Sequence, residues 1–487
     1  MLNLMRNVCA MTCVATCLLF NTTIILAEKE EAQTKPNIIF FFTDDQGWQD
    51  MGNTGHPYLK TPNLDRLARE GTRFDQFYSS ASVCSPSRVA FMTGHFPAKH
   101  KIHQHFTRNA KYNAKRGMPN FLDPELTVIT RVLQQNGYRT GHFGKWHLGN
   151  TKDAPELSAY GIDEHRALGG NGPGWDRHGN KVPKGTAIES YSTCTNKDYF
   201  WTNSTDFFVD AAIDFIKANK GQPFYMNLWT ILPHAPNRPT PEQLKVYRDT
   251  KVKASDFSGW MPDYITAAKD PEQQMKNFCA VMTANDAALG RLLEALDELG
   301  IADNTLIFFT SDNGPEDYHI GNMRNSGMGA TGELRGRKRS LYEGGVRMPC
   351  IARWPGKVPA GKVNARSVLG AVDWFPTVCE VAGIQMPDIK PDGENVTDIL
   401  LGKERQRRKP LFWEWRPRVW GNKQYFPPSL AIRSGEWKLF SDETGTKIEL
   451  YNIPKDDGER NNVADQYPEK VKTLKRQLLD WKKTLPN

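Results

Sequence analysis

The chain has 487 residues, 39% hydrophobic and 24% charged, with 39 Gly and 31 Pro. This composition excludes collagen-like, coiled-coil and wholly disordered chains and leaves ample apolar material for a sizeable core. The formal charge is +8, from 63 basic and 55 acidic residues mixed along the chain, a mild bias toward anionic partners.

Residues 1–27 carry Arg6, then the apolar Val8, Leu18, Leu19 and Phe20, then Ile24, Ile25, Leu26 and Ala27 ahead of Glu28-Lys29-Glu30-Glu31. The stretch is broken by polar residues and is short for a membrane span, so it reads as a secretory signal peptide, with an uncleaved anchor as the alternative. The mature protein is therefore expected in the periplasm or secreted, and no later apolar run is long enough to cross a bilayer. Three of the eight cysteines fall in this leader. Cys84, Cys194, Cys279, Cys350 and Cys379 remain, an odd set in which Cys84 is the expected unpaired member.

Ile38–Phe42, Tyr138–Phe143, Phe224–Trp229 and Leu306–Phe309 read as strands. Thr127–Gln135, Asp206–Asn219 and Gln274–Leu299 read as helices followed by glycine. The alternation predicts an α/β protein with a large, mostly parallel sheet sandwiched by helices. After about Arg405, short strands at 411–415, 429–432, 437–440 and 448–451 and a helix over 468–484 predict a small antiparallel sheet plus helix. The expected division is thus a signal peptide over 1–27, a catalytic domain over 36–405 and a C-terminal subdomain over 406–487.

Polar residues follow each main strand: Asp44-Asp45, then Lys145 and His147, then His234, then Asp312-Asn313. The carboxyl ends of parallel strands form the ligand crevice in open sheets, so these four segments are expected to converge there. Asp44, Asp45, Asp312 and Asn313 are hard oxygen donors without zinc-type Cys/His spacing, which favours Ca²⁺ or Mg²⁺. Cys84-Ser85-Pro86-Ser87-Arg88 places a cysteine near a helix start, where amides favour negative charge, and an arginine fork suited to tetrahedral oxyanions. A nucleophilic cysteine of low pKa and a buried structural one are both open on these residues alone. The basic stretches Leu334–Arg339 and Arg405–Lys409 lack interleaved aromatics and read as solvated loops rather than nucleic-acid sites.

The string Cys84-x-Pro86-Ser87-Arg88 with Met92-Thr93-Gly94 resembles the signature of type I sulfatases, whose cysteine is converted to Cα-formylglycine (3-oxoalanine). Gly137–Thr140 with Gly144-Lys145-Trp146-His147-Leu148-Gly149 resembles the second signature. Pro36–Trp48, Pro233–Pro236, Thr310–Gly314 and Lys338–Pro349 resemble further motifs, so the resemblance covers nearly the whole chain. It is similar to bacterial polysaccharide sulfatases related to the arylsulfatase and N-acetylgalactosamine-6-sulfatase branch.

The resemblance implies an alkaline-phosphatase-like fold and hydrolysis of sulfate monoesters. It also implies one divalent cation, commonly Ca²⁺, held by Asp44, Asp45, Asp312, Asn313 and the modified Cys84. Arg88, Lys145, His147, His234 and Lys338 would line the sulfate pocket, while Arg335, Arg337 and Arg339 are expected to be solvated. The hydrated aldehyde offers one hydroxyl to attack sulfur, with Asp312 as base, and a second whose deprotonation, by His147, expels sulfate. His234 or Lys338 would protonate the leaving alcohol. The implied partners are a sulfated carbohydrate, with galactose or N-acetylgalactosamine units expected, and a formylglycine-generating enzyme. Inserts at His103–His105, 171–178 and 319–324 are expected to read the sugar, with His105, Asn171, His178, His319 and Arg324 as contacts. The competing readings are a phosphoryl-transfer hydrolase of the same superfamily and a non-catalytic sulfated-glycan-binding protein.

Overall fold

Strand β1 (Asn37–Asp44) is buried along its whole length. Its side chains alternate between two cores: Ile38, Phe40 and Phe42 enter one, Ile39 and Phe41 the other. An apolar run without polar alternation is what a strand covered on both faces requires. Each fully buried aromatic here contributes roughly 1.5–3 kcal/mol of apolar transfer energy. The computed structural model describes residues 35–149, 151–168, 174–175, 181–182, 200–317, 325–417 and 423–486. The expected signal peptide and Cys194 lie outside them.

The main sheet has eight strands, in the order Lys362–Asn364, Thr72–Phe74, β5 (Cys350–Arg353), β4 (Thr305–Ser311), β1, β3 (Phe224–Pro233), β2 (Arg139–Lys145) and Glu164–Leu168. The five strands from β4 to Glu164–Leu168 are parallel, and β5 runs antiparallel to both of its neighbours. Parallel neighbours need crossovers, and α2 (Phe200–Asn219) before β3 and α3 (Pro271–Glu298) before β4 supply them. Both helices lay apolar stripes against the face holding Ile39 and Phe41, with Phe208, Ala212 and Phe215 from α2 and Leu289, Leu292 and Leu296 from α3. β3 runs four residues beyond the expected Trp229, because Thr230–Pro233 stay buried between layers, and this extension carries the chain to His234.

On the other face, α1 (Cys84–Thr93) and α4 (Trp374–Val381) pack against Phe40 and Phe42. The same core continues into the C-terminal sheet of β6 (Leu411–Glu414), β7 (Leu430–Ser434), β8 (Trp437–Ser441) and β9 (Ile448–Asn452) through Trp413, Ile432 and Leu439. That sheet is an antiparallel meander, and α5 (Pro468–Lys483) adds Leu474 and Leu478 to its core. Among the described residues, no helix is long and apolar enough to cross a membrane. Cys84, Cys279, Cys350 and Cys379 are all buried free thiols.

Candidate active site

The register of the central strands sets the site. β1 and β4 pair Thr43 with Ser311, so the next residues on each, Asp44 and Asp312, emerge level at the carboxyl edge. Asp45 takes a left-handed backbone (φ 69°) and donates its N–H to Asp312 Oδ1 at 3.1 Å, fixing the two acidic turns to each other. Asn313 Nδ2 reaches Asp45 Oδ1 at 2.8 Å. A Cβ on Gly314 would lie 1.9 Å from the Gly344 carbonyl, so only glycine lets this turn press against the loop that follows Lys338.

Cys84 is the first residue of α1, and its Sγ lies 3.4 Å from Asp44 Oδ1. Arg88 follows one helical turn later on the same face. It is fully buried against the rings of Phe42 and Trp229. Its Nη2 contacts Asp44 at 3.3 Å and Asp312 at 3.0 Å, and its Nη1 donates to the Lys145 carbonyl at 2.6 Å. Lys145, at the end of β2, pairs with Asp44, and Lys338 reaches Asp45 Oδ1 and Oδ2 at 2.5 and 2.7 Å. His234, just past β3, holds Nε2 3.7 Å from Asp45 Oδ2 while Nδ1 contacts the Ala235 carbonyl at 2.8 Å. His147 adopts φ 56°, and its Nε2 contacts the Phe106 carbonyl at 3.2 Å. Its Nδ1 is buried with no hydrogen-bond partner.

These contacts bring all ten residues expected in the metal and sulfate sites to one sheet edge. Burial opposes the charge on Asp44, but Lys145, His234 and Arg88 hold its carboxyl well below the usual carboxylate range. Burial, and then the neighbouring Asp44, push Asp312 up to about 7. Burial and the carboxylates of Asp312 and Asp44 push the Cys84 thiol far above its ordinary value. Without a bound cation, this direction favours the thiol over the thiolate. Burial also holds His147 neutral, with Lys145 adding to the effect.

The residues present could hold a divalent metal ion. Asp44, Asp45, Cys84 and His234 each offer a ligand atom within 4.8 Å of the others. The Asn313 amide oxygen is buried without a hydrogen-bond partner beside these carboxylates, as expected of an oxygen reserved for a cation.

Sequence reading missed Glu316. It is 1% exposed, forms two contacts to Arg339, one of them at 3.1 Å, and lies 3.6 Å from Lys338 Nζ. The expectation that Arg335, Arg337 and Arg339 are solvated is incorrect. Arg337 is buried, donates to the carbonyls of Glu316, Gly327 and Gly329, and stacks on Tyr264. Arg335 donates to the carbonyls of Gln424 and Glu459 and stacks 3.9 Å over Tyr342. The other basic stretch is likewise only partly solvated, since Arg405 and Arg407 are ion-paired. Of the expected sugar contacts, His105 is exposed with its ring 6.2 Å from that of His147. Asn171, His178, His319 and Arg324 lie outside the described residues.

Comparison with known proteins identifies the family. Residues 36–384 match the model of the family described as Sulfatase, and residues 335–484 match that of the N-sulphoglucosamine sulphohydrolase C-terminal region. The chain is 32% identical to bovine arylsulfatase A over 482 residues, covering 93% of this chain and 88% of the relative. It is 28% identical to an N-acetylgalactosamine-6-O-sulfatase of Bacteroides thetaiotaomicron over 536 residues, covering 94% and 95%. Among solved structures, Ps i-CgsB in complex with k-i-k-neocarrahexaose superposes with a TM-score of 0.72 at 27% identity, covering 92% of this chain and 93% of that one. The chain belongs to the sulfatase family. It is a sulfuric ester hydrolase.

Proposed function

We propose that the protein is exported and removes sulfate from galactose or N-acetylgalactosamine units of a sulfated polysaccharide, using a formylglycine made from Cys84 by a formylglycine-generating enzyme. The observation that carries this reading is the position of Cys84: buried at a helix start, 3.4 Å from Asp44 and favoured as a thiol without a bound cation. An unmodified thiol there is a poor nucleophile, whereas a hydrated aldehyde supplies two hydroxyls on one carbon, one to attack sulfur and one to release it. The named activities of the Bacteroides relative and the sugar bound to Ps i-CgsB support the substrate class.

Asp44, Asp45, Asp312 and Asn313, together with the modified Cys84, would hold one Ca²⁺, with Mg²⁺ as the substitute. A bound cation there supplies positive charge already in place where the sulfate oxygens gather. The protein's own cations do the rest. Arg88 and Lys145 neutralise Asp44 and fix its orientation, and Lys338 does so for Asp45. His147, with Nε2 committed to Phe106, leaves Nδ1 as a bare acceptor for a proton from the residue at position 84. His234 and Lys338, both beside Asp45, are the two donors placed to protonate a leaving alcohol.

A division into a catalytic domain over 36–405 and a C-terminal subdomain over 406–487 is supported by the antiparallel meander that begins at Leu411. The phosphoryl-transfer alternative is disfavoured by a cysteine at the helix start where that class uses a hydroxyl nucleophile. Sulfate release from galactose-4-sulfate, galactose-6-sulfate and N-acetylgalactosamine sulfates by enzyme co-produced with the generating enzyme tests the substrate class. Release from one of these is expected, and activity confined to glucosamine or uronate sulfates would overturn it.

A further inference from the structure

A groove of about 420 Å³ lies between residues 365–368, the 404–410 segment and the turn joining β7 to β8, and it shares no residue with the site around Cys84. Its volume falls in the range of small-ligand sites. Six lining residues are cations, Arg366, Arg405, Arg407, Arg408, Lys409 and Arg433, against two carboxylates, Glu404 and Glu436. Three of the cations are already spent. Arg405 pairs with Glu394 and Asp398, Arg407 pairs with Asp373, and Lys409 donates to the carbonyls of Pro391 and Gly393.

Arg433 is held as well, and Arg408 and Arg366 are not. The Arg408 side chain is exposed and makes no hydrogen bond or ion pair among the described residues. Arg366 is 85% exposed and touches Glu404 only at 3.9 Å. Arg433 is 2% exposed and donates to the Gly435 carbonyl and to Gln76 Oε1, and its buried Nε has no partner. The buried Glu343 carboxylate lies close enough to act as its counter-charge.

We propose that this groove binds a sulfated oligosaccharide segment, as a second site separate from the catalytic one. Arginine forks match the oxygens of sulfate two at a time, and two exposed, unspent guanidiniums, Arg366 and Arg408, line one cavity. No aromatic side chain lines it, so it lacks the stacking platform a single-stranded nucleic acid needs. The groove lies away from Cys84. Asp373, held by Arg407, sits at the start of α4, and α4 packs its Phe375 against Gly94, at the far end of α1 from Cys84. That helix is about 15 Å long. A polymer with several sulfates reaches both places, while a single sulfated sugar occupies only the catalytic one. The groove would hold the enzyme on its polymer between cleavages, an assignment that rests on the sulfated-carbohydrate reading of the catalytic site.

The test uses full-length Cys84→Ala protein, so that ligands persist, with and without Arg366→Glu and Arg408→Glu together. Both arginines are exposed, so folding is retained. Affinity for a sulfated galactan hexasaccharide should fall about tenfold in the double charge reversal, with affinity for galactose-6-sulfate unchanged. An unchanged hexasaccharide affinity would overturn the proposal, as would equal losses for both ligands. Equal affinity for a DNA oligonucleotide of matching charge would overturn the sugar assignment. Absence of sulfate-ester hydrolysis by the unaltered enzyme would instead fault the reading of the catalytic site and leave this binding comparison to decide the groove.

Discussion

Cys84 Sγ sits 3.4 Å from Asp44 Oδ1, at the point where the start of α1 meets the end of β1. The contact joins the residue expected to be modified to the residue expected to hold the cation. Arg88, one turn along, grips the same Asp44. Serine at position 84 would keep the hydrogen bond and the packing but could carry only one hydroxyl. Cys84→Ser is therefore expected to abolish multiple turnover while changing the unfolding free energy by less than about 1 kcal/mol. Sulfate release and urea denaturation on the same preparation check both halves.

Removing the cation leaves three buried carboxylates and the Asn313 oxygen facing one another. Exhaustive chelation should lower Tm and eliminate sulfate release, and Ca²⁺ should restore both. Calorimetry with Ca²⁺ and Mg²⁺ added back separately reports the preferred ion. An unchanged Tm after chelation would show that Lys145, Lys338 and Arg88 suffice to neutralise the site.

Glu316 supports Lys338 from behind through Arg339. Burial raises its pKa, but Lys338 and Arg339 bring it down to about 2 from an ordinary 4.5. A carboxyl whose folded pKa is depressed stabilises the protein above its unfolded pKa and loses that contribution as pH falls through the folded one. Glu316→Gln should thus destabilise by roughly 3 kcal/mol at pH 7, a gap that shrinks between about pH 4.5 and pH 2. Urea unfolding of both proteins across that range gives the comparison, and a pH-independent gap would mean the carboxylate charge is not what matters.

Gly314→Ala would drive a methyl into the Gly344 carbonyl, 1.9 Å away, and push the Asn313 turn from the Lys338 loop. The expected result is a loss of at least tenfold in kcat/KM, since a displacement of about 1 Å at a site can cost more than that. A weakened Ca²⁺ affinity in the same variant would locate the damage at Asn313.

The sequence alone shows the parts of the site that sit at strand ends. Asp44, Lys145, His234 and Asp312 each follow an apolar run, and parallel pairing brings such ends together. Cys84 and Arg88 are legible from their spacing within one helical turn. What could not be read is who holds the holders. Glu316 and Arg339 lie 23 residues apart in sequence, with no periodicity to link them. Arg337 reads as solvated because the carbonyls of Gly327 and Gly329 that bury it are set by tertiary packing. Arg433 and Lys438 fall on one face of the C-terminal sheet by alternation, yet alternation does not reveal that Lys438 meets Glu343 across the core, with Arg433 acting on the same carboxylate.

The most direct test of the central claim is the state of residue 84. Protein made with a formylglycine-generating enzyme is digested with trypsin, and the peptide from Phe74 to Arg88 is examined by mass and by reaction with a hydrazide. The hydrazide is needed because a hydrated aldehyde nearly matches cysteine in nominal mass. The account predicts a hydrazide-reactive aldehyde at position 84, in proportion to the sulfatase activity of the preparation. An unmodified thiol in a preparation that still releases sulfate would contradict it.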